Sequence, residues 1–184
     1  GKEVMLHLPM ASRDAQEPGP GQLDADMPAS EMRATLDYDL STVPHVIGVN
    51  NHMGSLLTTQ PAAMDWLMRE LWQRRLFFVD SRTDAETVAA SAALRVGVPV
   101  LERHVFLDDD LTPAAVAAQL DRFEQLARQH GYALAIGHPH PVTLAALERW
   151  LPQLAGRGIH LIPLTSRLAQ IAPEAKPWRA SWSR

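Results

Sequence analysis

The sequence predicts an α/β fold in which a parallel sheet is covered by helices and the chemistry gathers at the carboxyl ends of the strands. Three observations predict it. Short apolar runs rich in β-branched residues alternate with amphipathic segments, which is the pattern of buried strands joined by crossover helices. Polar residues follow the ends of successive runs: His7, His52, Asp80, Asp108 and His138. No Gly-rich phosphate fingerprint follows any of them, which argues against a nucleotide-binding sheet.

In chain order, residues 4–8 read as the first strand, ended by Pro9. Residues 11–28 form a loop rich in Pro and Gly, too long for a plain connection and therefore a candidate functional loop. Ser30 caps a helix to about Leu40, with Glu31 in its first turn. A strand at 46–49 runs into Asn50, Asn51, His52 and Ser55, where Gly54 lets the backbone turn. Pro61 opens a helix to about Arg75 with an apolar stripe of Met64, Leu67, Met68 and Leu71.

Residues 76–79 are the next strand, and an alanine-rich helix over 85–95 is stopped by Gly97. A weaker strand at 104–107 leads into Asp108, Asp109 and Asp110, read as a solvated turn and helix start. Thr112 and Pro113 cap and open a long helix to about His130. A strand at 133–136, a helix at 142–154 and a last strand at 159–162 complete the chain. Residues 1–171 are expected to form one domain and 172–184 a tail that docks through Trp178 and Trp182 or is loosely ordered. Six strands are too few to close a β/α barrel, so one or two leading β/α units are expected to lie outside this chain.

Composition narrows the function classes. The chain has 184 residues, 46% of them hydrophobic, enough for a substantial core. A net charge of -4 without a Lys/Arg cluster argues against nucleic acid as a partner. No apolar run is long enough for a membrane span, and no signal peptide is visible. The absence of cysteine excludes disulfides, thiolate metal sites and a Cys nucleophile.

Histidines at strand ends, with an aspartate among them, suggest a divalent ion such as Zn²⁺ held by nitrogen and oxygen. Such an ion activates water and polarises a carbonyl, which suits amide or ester hydrolysis. His138 and His140, each followed by proline, can supply an acid or base near neutral pH, although His140 and Pro141 also read as a helix start. Asp80 either orients an imidazole or caps the following helix. His45, His104, His130 and His160 lack polar company and are read as structural.

The motifs at 7–10 (His-Leu-Pro-Met), 49–55 (Val-Asn-Asn-His-Met-Gly-Ser), 77–83 (Phe-Phe-Val-Asp-Ser-Arg-Thr), 105–110 (Val-Phe-Leu-Asp-Asp-Asp) and 135–141 (Ala-Ile-Gly-His-Pro-His-Pro) together resemble the divergent polysaccharide deacetylase family, which is related to the NodB-type carbohydrate deacetylases. The resemblance runs from Gly1 to about Ile171. It implies a distorted β/α barrel, export to the bacterial envelope (periplasmic or secreted), and metal-assisted removal of acetyl groups from a glycan. By the resemblance, His7 and His52 are metal ligands and His138 is the acid, held by Asp80. Asn50, Asn51, Ser55 and His140 complete the expected site as substrate contacts.

Two departures from the family pattern stand out. The family's opening strand ends in an Asp-Asp pair that this chain does not supply, and Ala11 stands where the second histidine of a His-x-x-x-His pair would be. They leave a second expectation open, an inactive envelope module that binds glycan on a deacetylase scaffold. A phosphoesterase on the same barrel is the third.

Overall fold

A computed structural model describes residues 2–14 and 19–172, and in it the chain forms two compact units. Of the described residues, the first comprises 2–14, 19–102 and 163–172, the second 103–162. Most of the long Pro/Gly loop is described, but its residues 15–18 and the tail with Trp178 and Trp182 lie outside the described residues.

The first unit is built on four parallel strands in sequential order: β1 (Val4–Met10), β2 (Val46–Met53), β3 (Phe77–Asp80) and β4 (Val100–Glu102). Helices α1 (Ala29–Thr42), α2 (Pro61–Arg74) and α3 (Ala89–Val96) connect them, which is how parallel strands must be joined. Successive side chains on a strand face opposite ways. In β1, Leu6, Leu8 and Met10 are buried in a core with Leu36 of α1 and Met64, Leu67, Met68 and Leu71 of α2. The stripe read from the sequence of α2 is therefore its buried face. His7 lies on the other side of β1 and is exposed. In β2, Gly48 stands beside Phe77, whose ring would lie 2.5 Å from any Cβ there, so the closeness of these strands depends on glycine.

Pro163 precedes α6 (Leu164–Ile171), a helix beyond the last strand expected from sequence. Its first N–H groups lack partners in their own helix. The Glu3 carboxylate accepts from Leu164 N at 2.8 Å and from Thr165 N at 3.2 Å, and also takes the Thr165 hydroxyl. A cap from a residue 161 positions away cannot be read from local sequence.

The second unit pairs two short parallel strands, β5 (Val105–Phe106) and β6 (Ala135–Ile136), across α4 (Pro113–His130), and α5 (Pro141–Trp150) follows. Thr112 caps α4 as the sequence predicts, accepting from Ala115 N at 3.3 Å. The core is Val105, Leu107, Val116, Leu120, Ala146, Trp150 and Leu154.

Three expectations are corrected. Residues 159–162 form no strand, and Leu161 and Ile162 are exposed; an apolar run becomes a strand only where a ladder accepts it. β4 falls at Val100–Glu102, between the predicted helix stop and the predicted strand. The third helix begins at Ala89 instead of 85. The architecture is α/β with parallel sheets, in keeping with a deacetylase-type barrel. Among the described residues no helix is long and apolar enough to cross a membrane.

Candidate functional site

In the second unit the site follows from strand register. Phe106 pairs with Ile136, so the residues two positions beyond each, Asp108 and His138, emerge side by side on one face. Asp108 is buried, and its Oδ2 accepts from His138 N at 2.6 Å and from the Thr143 hydroxyl at 2.8 Å. Its Oδ1 lies 3.1 Å from Nδ1 of the His138 ring. Burial alone would push the Asp108 carboxyl up, but these hydrogen bonds and the neighbouring imidazole outweigh it and hold the group below the usual carboxylate range. Thr143 sits in the first turn of α5, whose N-terminal dipole also favours the anion.

With Nδ1 of His138 beside a carboxylate, Nε2 is the nitrogen that remains for chemistry. The ring is 42% exposed and therefore reachable. It stacks obliquely on Phe106 (centroids 5.5 Å apart) and on His140 (5.6 Å). His140 is both the residue that begins α5 and a member of this group. Asp108, His138 and His140 each bring one donor atom, all within 4.8 Å of one another, so the three form a cluster capable of holding a metal ion. Two imidazoles and a carboxylate are a donor set that suits Zn²⁺.

The first unit brings together a second group. His7 pairs with Asn50 across the β1–β2 ladder, and His52 lies two residues further along β2 on the same face. His52 Nδ1 is 3.1 Å from His7 Nε2. Two nitrogens on one tetrahedral Zn²⁺ would lie about 3.3 Å apart, so this pair also has a spacing that an ion can bridge.

The polar rim around the pair is tied to itself. The Asn50 amide donates to Val79 O at 2.8 Å and to Ser81 Oγ at 2.7 Å. Ser55 Oγ meets Ser12 Oγ at 2.8 Å and accepts from Arg13 N at 2.9 Å, joining the loop after β1 to the end of β2. Asn51 is fully buried: its Oδ1 accepts from Ser81 N at 2.7 Å and its Nδ2 donates to Met53 O at 2.8 Å. The Asn51 amide, expected from sequence as a substrate contact, is used here in clamping β2 to the loop after β3. Met53 and Arg82, at the ends of those strands, hold positive φ angles of 52° and 49°, and the clamp supports that unfavourable backbone.

The partner expected for His138 also changes. Asp80 is wholly buried, and its carboxylate accepts from Arg82 N at 2.8 Å and from Thr87 Oγ1 at 3.0 Å, within its own loop. Burial raises its pKa, with those two hydrogen bonds opposing. The carboxylate that orients His138 is Asp108, the residue read from sequence as part of a solvated turn. The signal that could have found it is the matching two-residue offset after each short strand, Phe106 to Asp108 and Ile136 to His138.

Comparison with known proteins bears on this geometry. Residues 1–168 match the family model described as divergent polysaccharide deacetylase. An uncharacterized protein of Haemophilus influenzae is 41% identical over 164 residues, covering 86% of this chain and 59% of that protein. The Escherichia coli protein YibQ is 39% identical over 154 residues, covering 84% of this chain and 48% of its own length. The chain thus spans only about half to three fifths of these relatives. The crystal structure of ATU2773 from Agrobacterium tumefaciens superposes with a TM-score of 0.86 at 26% identity, covering 89% of this chain and 68% of that one.

Proposed function

The chain belongs to the divergent polysaccharide deacetylase family, and from that premise we propose that it carries a metal-dependent hydrolase activity that removes acetyl groups from an envelope glycan. The observation that carries this reading is the Asp108–His138–His140 cluster. Three protein donors with one position left for water or substrate is how catalytic zinc is held, and here those donors would be Asp108, His138 and His140. When bound, the ion supplies Lewis-acid polarisation of the acyl carbonyl and a water that ionises near neutral pH. Thr143 and the His138 backbone N–H hold the Asp108 carboxylate in place. Asn50 and Ser55 are kept as polar contacts for a sugar at the first unit's His7–His52 group. The working compartment is the periplasm or cell exterior, by family resemblance.

A second arrangement of the same reaction is favoured by the 3.1 Å spacing of His7 and His52. In it these two imidazoles of the first unit would hold the ion in place of the second unit's cluster. Metal content and acetate release from acetylated chito-oligomers, measured on the full-length protein and on variants, separate the two. The first arrangement expects a divalent ion near one equivalent that is lost in His140→Ala and kept in His52→Ala. The reverse pattern moves the ion to the His7–His52 pair. No ion and no acetate, with glycan binding intact in both variants, refutes the hydrolase and leaves a glycan-binding module.

A further inference from the structure

Beside His138 the second unit contains a cavity of about 460 Å³ that the hydrolase reading leaves unused. Its lining includes Gly137, His138 and Thr143 together with Leu120, Phe123 and Trp150. No Asp, Glu, Lys or Arg side chain lines it. The Thr143 hydroxyl is already given to Asp108. A sugar ring placed there would bury several hydroxyls with almost nothing to bond them, at a cost for each. An apolar chain would meet matching walls. For scale, a dry protein cavity of about 150 Å³ takes a benzene ring, so an acetyl methyl would leave most of this one unfilled.

Trp150 lines the cavity and is 7% exposed, so its indole reports on whatever enters.

We infer that the cavity is an acyl-chain subsite and that the substrate of this site carries an acyl group of medium length, well beyond acetyl. That the occupant is an acyl group rests on the hydrolase reading above; that it is a hydrocarbon chain rests on the cavity alone. The cavity and the Asp108–His138 pair share His138 and Thr143, so a chain seated in the cavity brings its carbonyl end to the imidazole.

The test is binding read without turnover. The full chain is titrated with N-octanoylglucosamine and, separately, N-acetylglucosamine, while the indole N–H resonance of Trp150 is followed by NMR, assigned by its loss in Trp150→Phe. The octanoyl compound is expected to bind at least tenfold more tightly and to move that resonance. Leu144 lines the cavity and is half exposed, so Leu144→Asp charges the wall without opening the core. It should weaken octanoyl binding at least tenfold, and Leu144→Met should not. Equal affinity for the two compounds, or octanoyl binding unchanged in a folded Leu144→Asp protein, overturns the subsite. Acid release from both compounds with no octanoyl preference refutes the subsite and leaves the hydrolase. Octanoyl binding with no acid release from either compound does the opposite.

Discussion

Replacing Asp108 by Asn keeps the shape of the side chain and removes one charge from the centre of the second unit. The consequences can be worked from its three bonds. The two donors that converge on Oδ2, His138 N–H and the Thr143 hydroxyl, can both be kept by the amide oxygen of Asn. Its NH₂ then faces His138 Nδ1, where the carboxylate oxygen had been. Two donors cannot share that contact, so the imidazole must move its proton to Nε2 or turn away. Hydrogen bonds to charged groups contribute about 1.5–3 kcal/mol and neutral ones about 1, so Asp108→Asn should cost about 2–3 kcal/mol. Asp108→Ala, which leaves the donors unmatched, should cost about 3–5 kcal/mol.

Asp108 also gives the protein an acid limit. Its folded pKa lies below the ordinary 3.8, so the stability it contributes is present above that value and is lost as pH falls through the folded pKa. Asp108→Asn should abolish that part of the acid loss. Urea titrations followed at the Trp150 indole resonance measure the stability, and imidazole ¹⁵N shifts report the tautomer. A loss under about 0.5 kcal/mol with an unchanged His138 tautomer would refute the claim that Asp108 orients this ring.

Three further perturbations test other parts of the structure. Asn51→Ala strands the buried Ser81 N–H and should cost about 1–3 kcal/mol, and it should also broaden the His52 resonances as the clamp on β2 loosens. Asp39 is buried, which raises its pKa from 3.8 to about 6. Its contribution is therefore opposite in sign to that of Asp108: stability is highest below about pH 4 and declines as pH rises through about 6. Asp39→Asn should flatten that decline and raise stability at pH 7 by about 1–3 kcal/mol, measured as the urea midpoint across pH 4–8. Gly48→Ala drives a Cβ to 2.5 Å from the buried Phe77 ring and should lower stability by about 1–3 kcal/mol by calorimetry; a neutral result would mean that the two strands separate freely.

Features under local chemical control are legible in the amino-acid order. The β1, β2 and β3 runs, the apolar stripe of α2 and the Thr112–Pro113 start of α4 are legible because side-chain period, proline and caps act within a few residues. The family motifs likewise singled out His7, His52, His138 and His140 as the imidazoles at strand ends.

Which side chains meet, and what each polar neighbour does, depends on how the chain packs in three dimensions. Local sequence cannot show that Glu3 caps α6, that residues 159–162 find no ladder, or that Asn51 faces inward. Nor can it separate Asp80 from Asp108, two aspartates that each follow a strand end. The parallel register of β5 and β6 sets Asp108 beside His138, whereas the loop after β3 folds back and takes up the Asp80 carboxylate. Hydrogen-bond partners are fixed by distances of about 3 Å in space, and a strand's own sequence carries no information about the strand that will lie beside it.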